Sequence, residues 1–384
     1  MKIDVQLAPA ARPGDELAAI DTPSLVLDLA AFERNLDLMQ ARASAAGVAL
    51  RPHAKAHKTP DIALAQIARG AIGICCQKVS EALPFVQAGV RDIHISNEVV
   101  GAAKLKLLAQ LARLAKFSVC VDDAAQVGEL AAACAAQGSG VDVFVEINIG
   151  QDRCGVAGTA EVLSILQVIS AHHRQLSFKG LQAYHGRVQH IRDHAERRAE
   201  AALAAARTRE VVEGLKAAGV ACPVVTGGGS GSVEFDLAGG VYTEVQPGSY
   251  VFMDGDYGRN AYTGDLRFEH ALFIASTVMS LSTGCSVEQV VVDAGLKSMS
   301  AESGLPEVWA DGAISRALHY AVISDEHGNV RPLAPGAALP ALGSQLLLIP
   351  GHCDPTLNLH DELVCVRDGV VQAIWPIAAR GLSR

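Results

Sequence analysis

The chain has 384 residues, half of them hydrophobic and 19% charged, enough to bury one long or two ordinary cores. A net charge of −9 without a basic cluster argues against nucleic acid as the main partner. Nine cysteines without a CxxC pair point away from a metal finger or a disulfide framework and fit a reducing cytoplasm; the N-terminus carries charges and prolines where a signal peptide needs an apolar run, and no apolar stretch is long enough for a bilayer.

Short β-rich runs alternate with Ala-rich helical ones through the first two thirds of the chain. The expected strands are PSLVLDL (23–29), ALRPH (49–53), AIGICC (71–76), DIHIS (92–96), FSVCVDD (117–123), VDVFVEINI (141–149), FKGLQAYH (178–185) and PVVTGGG (223–229). Helical stretches such as 30–47 and 101–115 lie between them, the first stopping at Gly47. Eight β units, each followed by a helix, predict an α/β fold: a (β/α)8 TIM-type barrel over residues 22–255, with a doubly wound open sheet as the competitor. After residue 255 helical periodicity nearly vanishes. Runs such as ALFIASTVMSL, QLLLIPGH and ELVCVRDGVVQAIWPI are strand-like and broken by Gly, Pro and Asp turns. Residues 1–21 plus 256–384 are therefore expected to form a second, all-β domain.

Barrel enzymes place their chemistry at the C-terminal ends of the strands. RPHAKAHKTP (51–60) falls there and crowds Lys55 and Lys58 with His53 and His57. Strand alternation would put His53 and Lys55 on one side and the small Ala54 and Ala56 on the packed side, with Lys58 beyond the strand in solvent. Gln77, Arg153, and Tyr184 with His185 follow later strands. TGGGSGS (226–232) offers consecutive backbone N–H groups and hydroxyls at a strand end, the chemistry of a phosphate cradle or the geometry of a plain glycine turn. It lacks the lysine of a P-loop and the spacing of a dinucleotide fingerprint. A cradle facing a lysine at a barrel mouth suggests a cofactor with both an aldehyde and a phosphate, pyridoxal 5'-phosphate. In PGHCDPTLNLHD (350–361), His352 and Asp354 would share one side of an extended strand, with Cys353 opposite. That nitrogen–oxygen pair suits a hard divalent ion, Mn²⁺ first, with Mg²⁺ or Co²⁺ as alternatives, whereas an exposed turn would explain it without chemistry.

The ordered set RPHAKAHK, CCQKVSEA, SNEVV, DRCGV, GLQAYHG, TGGGSGS, EVQPGSYVFMD, DAGLKS, SDEHG and GHCDPT resembles the D-threonine aldolase family, from about residue 20 to the end of the chain. That family belongs to the alanine-racemase-like enzymes that use pyridoxal phosphate on a barrel with a β-domain. The resemblance implies Lys55 as the lysine bonded to the cofactor, and Gln77, Arg153 and Tyr184 around its ring. It implies Thr226, Gly228, Ser230 and Gly231 at the phosphate, with Gln246 and Ser249 close by. It implies His352 and Asp354 as metal ligands and His190 as the base that removes the β-hydroxyl proton, with His185 as the lesser candidate; His53 and His57 read as local support for Lys55. The implied reaction is retro-aldol cleavage of a small-molecule D-β-hydroxy-α-amino acid by a cytoplasmic homodimer, with no membrane partner. SDEHG (324–328) and 253–258 are the candidate dimer contacts. The alternatives are a D-3-hydroxyaspartate aldolase and a D-serine or D-3-hydroxyaspartate dehydratase. The dehydratases are similar but carry Cys where this chain has Asp354, which favours the aldolase. A pyridoxal-phosphate homeostasis protein would lack both the second domain and the metal pair.

Overall fold

The computed structural model describes residues 7–264, 266–282 and 286–384. Residues 1–6 of the expected β-domain, and Cys285 among the nine cysteines, lie outside them. The chain divides into two compact units. One takes the chain to Asn35, then Val251–Gly258 and Glu269–Ile377; the other takes Leu36–Tyr250, Arg259–Phe268 and Ala378–Arg384.

Strand β1 (Ser24–Asp28) leads into helix α1 (Leu29–Ala45). A parallel sheet follows, made of β2 (Ala49–Leu50), β3 (Ile74–Cys76), β4 (Asp92–Glu98), β5 (Lys116–Val121), β6 (Val141–Glu146), β7 (Leu176–Ala183), β8 (Val224–Gly227) and β9 (Glu244–Val245), in the order β2-β9-β8-β7-β6-β5-β4-β3. Each of its first seven strands is followed by a helix: α2 (Pro60–Ala68), α3 (Val79–Gln87), α4 (Ala102–Leu111), α5 (Ala124–Gln137), α6 (Thr159–Ala171), α7 (His194–Ala217) and α8 (Val233–Ala238). Local chemistry sets their ends. Asp123 caps α5 by accepting the Ala125 N–H at 2.7 Å, and Gly138 closes it at φ +63°, a conformation glycine adopts without a Cβ penalty.

The sheet curls back on itself. A parallel bridge joins His53 to Cys75 across its two ends, and the Ile72 N–H donates to Leu50 O at 2.9 Å. His94 on β4 meets Gln182 on β7 at 3.3 Å, although β5 and β6 stand between those strands in the sheet order, so their side chains meet inside the curl. The alternate residues Ile93, Ile95, Phe117, Val119, Val143 and Val145 are buried apolar side chains. The strand faces therefore split into an apolar side and a polar interior of Arg51, His94, Ser118, Gln182, Thr226, Glu244 and Gln246, linked by hydrogen bonds. Burial, followed by the charge of Arg51, lowers the pKa of His94 to about 3 and keeps the ring neutral.

One expected barrel strand belongs elsewhere. β1 pairs antiparallel with β10 (Leu272–Ser280), and parallel with Glu362–Arg367, in the other unit. Four of its five residues, SLVL, are buried, so its pattern carries no preference for either sheet. The eighth barrel place goes to β9, whose two residues are too short to show any periodicity. The other unit continues with β11 (Val290–Val292), β12 (Glu307–Ala310), β13 (Ala313–Ile314), β14 (Leu318–Ile323), β15 (Gly328–Pro332), β16 (Gln345–Ile349), β17 (Glu362–Arg367) and β18 (Val370–Pro376). Its main sheet runs β13-β12-β16-β10-β1-β17-β18, and Val26, Phe273, Ala275, Ile349, Val364, Val366 and Val371 form the core against one face.

Candidate functional site

RPHAKAHK does not run on as a strand. β2 ends at Leu50, and Ala54–Ala56 form a single 3-10 turn, so Lys55 is placed by a turn and not by strand alternation. Two histidines brace it. His53 Nδ1 accepts the Lys55 N–H at 3.2 Å while Nε2 meets Ser96 Oγ at 2.9 Å, and the buried His57 Nδ1 accepts the Thr59 N–H at 3.1 Å. Lys58, expected in solvent, is only 6% exposed, because its Nζ meets Glu81 Oε1 at 2.5 Å in a buried ion pair. Lys55 is half-buried. The two lysines thus differ in kind: one is spent on a partner carboxylate, the other sits on a braced turn at a strand mouth.

The glycine run is built as a cradle. The Gln246 N–H donates to Gly227 O at 2.8 Å, and Ser230 Oγ accepts the Tyr250 N–H at 3.0 Å. Gln189 Oε1 takes the N–H groups of Gly231 and Ser232 at 2.9 and 3.1 Å. The N–H groups of Gly228 and Ser230 find no acceptor among the described residues. Side chains are excluded here. A Cβ on Gly228 would lie 2.4 Å from Asp236 Oδ2, one on Gly229 2.6 Å from Gln189 Oε1, and one on Gly231 2.2 Å from Gln189 O. Unclaimed backbone donors on a turn that excludes a Cβ at three of its positions fit a phosphate group. Beneath it, Asp236 accepts from Ser232 Oγ at 2.6 Å; burial pushes its pKa up to about 7 against the hydrogen bonds from Ser232 and Gly229.

Residues 246–250 join the two features. Pro247 O accepts the His53 N–H at 3.0 Å, and a Cβ on Gly248 would lie 3.0 Å from His53 O, while Tyr250 N–H reaches the cradle. Ser249 is buried in this segment. Thr226 and Gln246 are brought together: Gln246 Nε2 donates to Thr226 Oγ1, which donates to Glu244 Oε1, both at 2.7 Å. The Thr226 hydroxyl is thereby committed to the barrel interior. Arg153 stacks over the Tyr184 ring at 5.6 Å and stands 3.9 Å from Glu146, whose pKa rises to about 8 through burial, then the charge and hydrogen bond of Glu98, with Arg153 opposing. Gln77 is half-buried and donates its N–H to Glu81 Oε2 at 3.2 Å. His190 is exposed at the end of the 3-10 turn Arg187–His190.

In the other unit, His352 and Asp354 do not lie on an extended strand. His352 is the N-cap of the short helix Cys353–Leu357, and Asp354 belongs to its first turn. The pair still converges, with His352 Nε2 4.0 Å from Asp354 Oδ1. Cys353 is buried and donates its N–H to Asp254 Oδ2 at 2.8 Å. Glu302 holds His352 Nδ1, which leaves Nε2 as the ring atom that could bind a metal, the usual arrangement behind a metal-bound imidazole. Burial alone would lower the His352 pKa; Asp354, the Glu302 hydrogen bond and Asp254 outweigh it and raise it. A hard ion about 2.1 Å from each ligand spans a pair up to roughly 4.2 Å apart, so this pair fits one.

Gln189, Asp236, Glu302 and Asp254 escape sequence reasoning. Gln189 carries no motif of its own beside His190, and Glu302 lies 50 residues from the ring it orients.

Comparison with known proteins agrees with this geometry. Residues 27–256 match the family model "Alanine racemase, N-terminal domain", and residues 271–366 match "Putative serine dehydratase domain". The chain is 56% identical to a D-threonine aldolase of Arthrobacter sp over 99% of its own length and 98% of that protein. It is 42% identical to a 3-hydroxy-D-aspartate aldolase of Paracoccus denitrificans (strain Pd 1222), covering 97% and 95%. The crystal structure of D-threonine aldolase from Filomicrobium marinum superposes with a TM-score of 0.92 at 47% identity, covering 98% of this chain and 100% of that one. A curled parallel sheet with a lysine turn and a glycine cradle at its strand ends, in a chain that tracks these relatives from end to end, belongs to the D-threonine aldolase family of the alanine-racemase-like fold.

Proposed function

We propose that the chain is a carbon–carbon lyase that cleaves D-β-hydroxy-α-amino acids of the D-threonine type to glycine and an aldehyde, using pyridoxal 5'-phosphate and a divalent metal ion. The observation that carries this reading is the segment 246–250. It packs on the turn bearing Lys55 and on the phosphate cradle at once, so one short stretch sets the distance between an amine and an anion site. When bound, the cofactor supplies an electron sink for the pair released at Cα, and the ion supplies a Lewis acid for the β-hydroxyl.

The residues then divide the work. Lys55 Nζ anchors the cofactor, with His53 and His57 fixing the turn beneath it. The N–H groups of Gly228 and Ser230 hold the phosphate; Gly231, bound to Gln189, and Thr226, bound to the barrel interior, fix the turn around them, backed by Gln246 and Ser249. Arg153 and Tyr184, stacked on each other, border the ring, and Gln77 lines the same mouth. An imidazole nitrogen of His190 takes the β-hydroxyl proton. His352 Nε2 and Asp354 ligate the metal. Their nitrogen and oxygen atoms favour Mn²⁺, with Mg²⁺ or Co²⁺ also accommodated. The enzyme acts as a homodimer in the cytoplasm, a compartment that suits eight free cysteines among the described residues. No helix of the described residues is long and apolar enough to cross a membrane.

The test is product analysis after incubation with D-threonine, pyridoxal phosphate and Mn²⁺. Glycine with acetaldehyde supports the reading. 2-Oxobutanoate with ammonia would make the chain a dehydratase instead.

A further inference from the structure

Gln189 belongs to the cradle and to the His190 segment at once. It is 1% exposed, while His190 next to it is exposed. Its Oε1 accepts two cradle N–H groups, from Gly231 and Ser232. Its Nε2 donates to Ser232 Oγ at 2.8 Å and to His185 O at 3.3 Å, and its own carbonyl accepts from Asn260 Nδ2 at 2.9 Å. The fit is close on the far side too, since Gly229 and Gly231 admit no Cβ against it.

The other flank of His190 is also fixed. Arg197, fully buried, donates from Nη1 to Ile191 O and from Nη2 to Ala261 O, both at 2.6 Å, and lies against the rings of Phe235 and Tyr262. The short turn carrying His190 is therefore suspended between Arg197 and the cradle, and Gln189 is the strut on the cradle side. The unclaimed N–H groups of Gly228 and Ser230 sit on the same turn that Gln189 holds. An anion that draws those donors together must move, or stiffen, the neighbours that Gln189 grips.

We propose that Gln189 is a positioning residue that couples occupancy of the phosphate cradle to the order of the segment presenting His190. The inference rests on the reading of the cradle as the site of the pyridoxal phosphate group. It adds that phosphate binding prepares the base as well as holding the cofactor, through the four bonds of one amide.

Hydrogen exchange measured with and without pyridoxal phosphate decides it. In the wild-type protein, amides of residues 186–193 should exchange about tenfold more slowly once the cofactor is bound, the size of effect expected for one or two added hydrogen bonds. Gln189→Leu keeps the volume and loses the amide. It should bind pyridoxal phosphate roughly tenfold more weakly, by absorbance titration, and its 186–193 exchange should no longer respond. Gln189→Glu supplies a second, pH-dependent readout. As a carboxylate it loses the Nε2 donors and sets a charge beside the cradle; protonated at lower pH, it regains a donor. Affinity and protection should both recover as the pH falls towards 5, a signature that a merely structural glutamine would not give. Wild-type protection in Gln189→Leu, or a Gln189→Glu variant whose affinity ignores pH, overturns the coupling. If the variants fail to fold, the wild type decides alone: cofactor binding without protection of 186–193 overturns it. A wild-type chain that forms no absorbing complex with pyridoxal phosphate overturns the cofactor reading together with the coupling.

Discussion

The cradle at residues 226–232 and the His352–Asp354 pair are built from opposite materials. The cradle works through backbone: its donors are main-chain N–H groups, and its glycines are there because a Cβ would collide with Gln189 or Asp236. The pair works through side chains: an imidazole and a carboxylate on one helical turn, oriented by Glu302. A backbone site depends on the conformation that its neighbours hold and on the freedom of its own main chain. Side-chain sites tolerate backbone changes and fail with a single atom type. A related contrast separates Lys55, a half-buried lysine on a braced turn for which we propose the cofactor, from Lys58, an ammonium spent on Glu81.

The largest expected effect tests that second contrast. Lys55→Ala should abolish turnover and the cofactor's visible absorbance while leaving the thermal midpoint of the cofactor-free protein almost unchanged. Lys58→Ala should do the reverse. It strands the buried Glu81 carboxylate, at a cost of about 3–5 kcal/mol of stability. Thermal denaturation and absorbance spectra of both variants check it, and a Lys58→Ala protein as stable as wild type would remove the distinction.

Asp354→Ala breaks the side-chain site. Aldol cleavage should fall by roughly a hundredfold or more if Asp354 is a metal ligand as proposed, while the cofactor absorbance persists. Exhaustive chelation should reproduce the loss, and Mn²⁺ should restore more activity than Zn²⁺ because the donors are hard. Cys353 does not face away from the pair as expected, since its thiol meets Asp354 Oδ1 at 3.4 Å; Cys353→Ser should still change activity little, because a hydroxyl can keep that contact and the main-chain N–H to Asp254 stays. Undiminished cleavage after chelation would reduce the pair to a capped helix turn.

How these features are legible in sequence follows from the same contrast. Residue types announce side-chain sites: His352 and Asp354 stand out, although the secondary structure expected for them was a strand and is a helix turn. Glycine clusters announce backbone sites, but what demands the glycines does not show, because Gln189 and Asp236 lie at distances of 43 and 4 residues from Ser232. The barrel's alternation of strand and helix is plain from periodicity. Its first and last members are not. β1, with four buried residues in a row, fits either sheet, and β9 has only two residues. The burial of Lys58 is likewise invisible, since its partner Glu81 lies 23 residues on.

Gly231→Ala breaks the backbone site by one methyl group. The new Cβ would lie 2.2 Å from Gln189 O, a main-chain atom that cannot step aside. Overpacking of this kind costs about 1–3 kcal/mol, and cofactor affinity should fall by roughly tenfold as the cradle donors splay. Gly240→Ala is the control, because no atom lies within 4 Å of its added Cβ; at φ +64° it should cost stability without touching cofactor affinity. Equal loss of affinity in both variants would mean that the cradle's shape is not what binds.

The smallest effect is a pH dependence within the cradle's support. Asp236 is buried against Ser232, with His185, Gln189 and Tyr242 lining the same small cavity, and burial raises its pKa to about 7 from an ordinary 3.8. Between those two values the folded protein holds a proton that the unfolded chain has released. The stability contributed by that proton is fully present below about pH 3.8 and is lost as the pH rises through 7. Across pH 6 to 8 the folded group goes from mostly protonated to mostly ionised, a loss of about 1.4 kcal/mol from this residue alone. Asp236→Asn cannot ionise, and its amide can still accept from Ser232 Oγ and the Gly229 N–H. The variant should therefore gain on the wild type by about that amount over the same interval, read as a difference in thermal midpoint of a few degrees at fixed cofactor concentration. A variant whose midpoint runs parallel to the wild type from pH 6 to 8 would mean that Asp236 does not change its protonation over that interval.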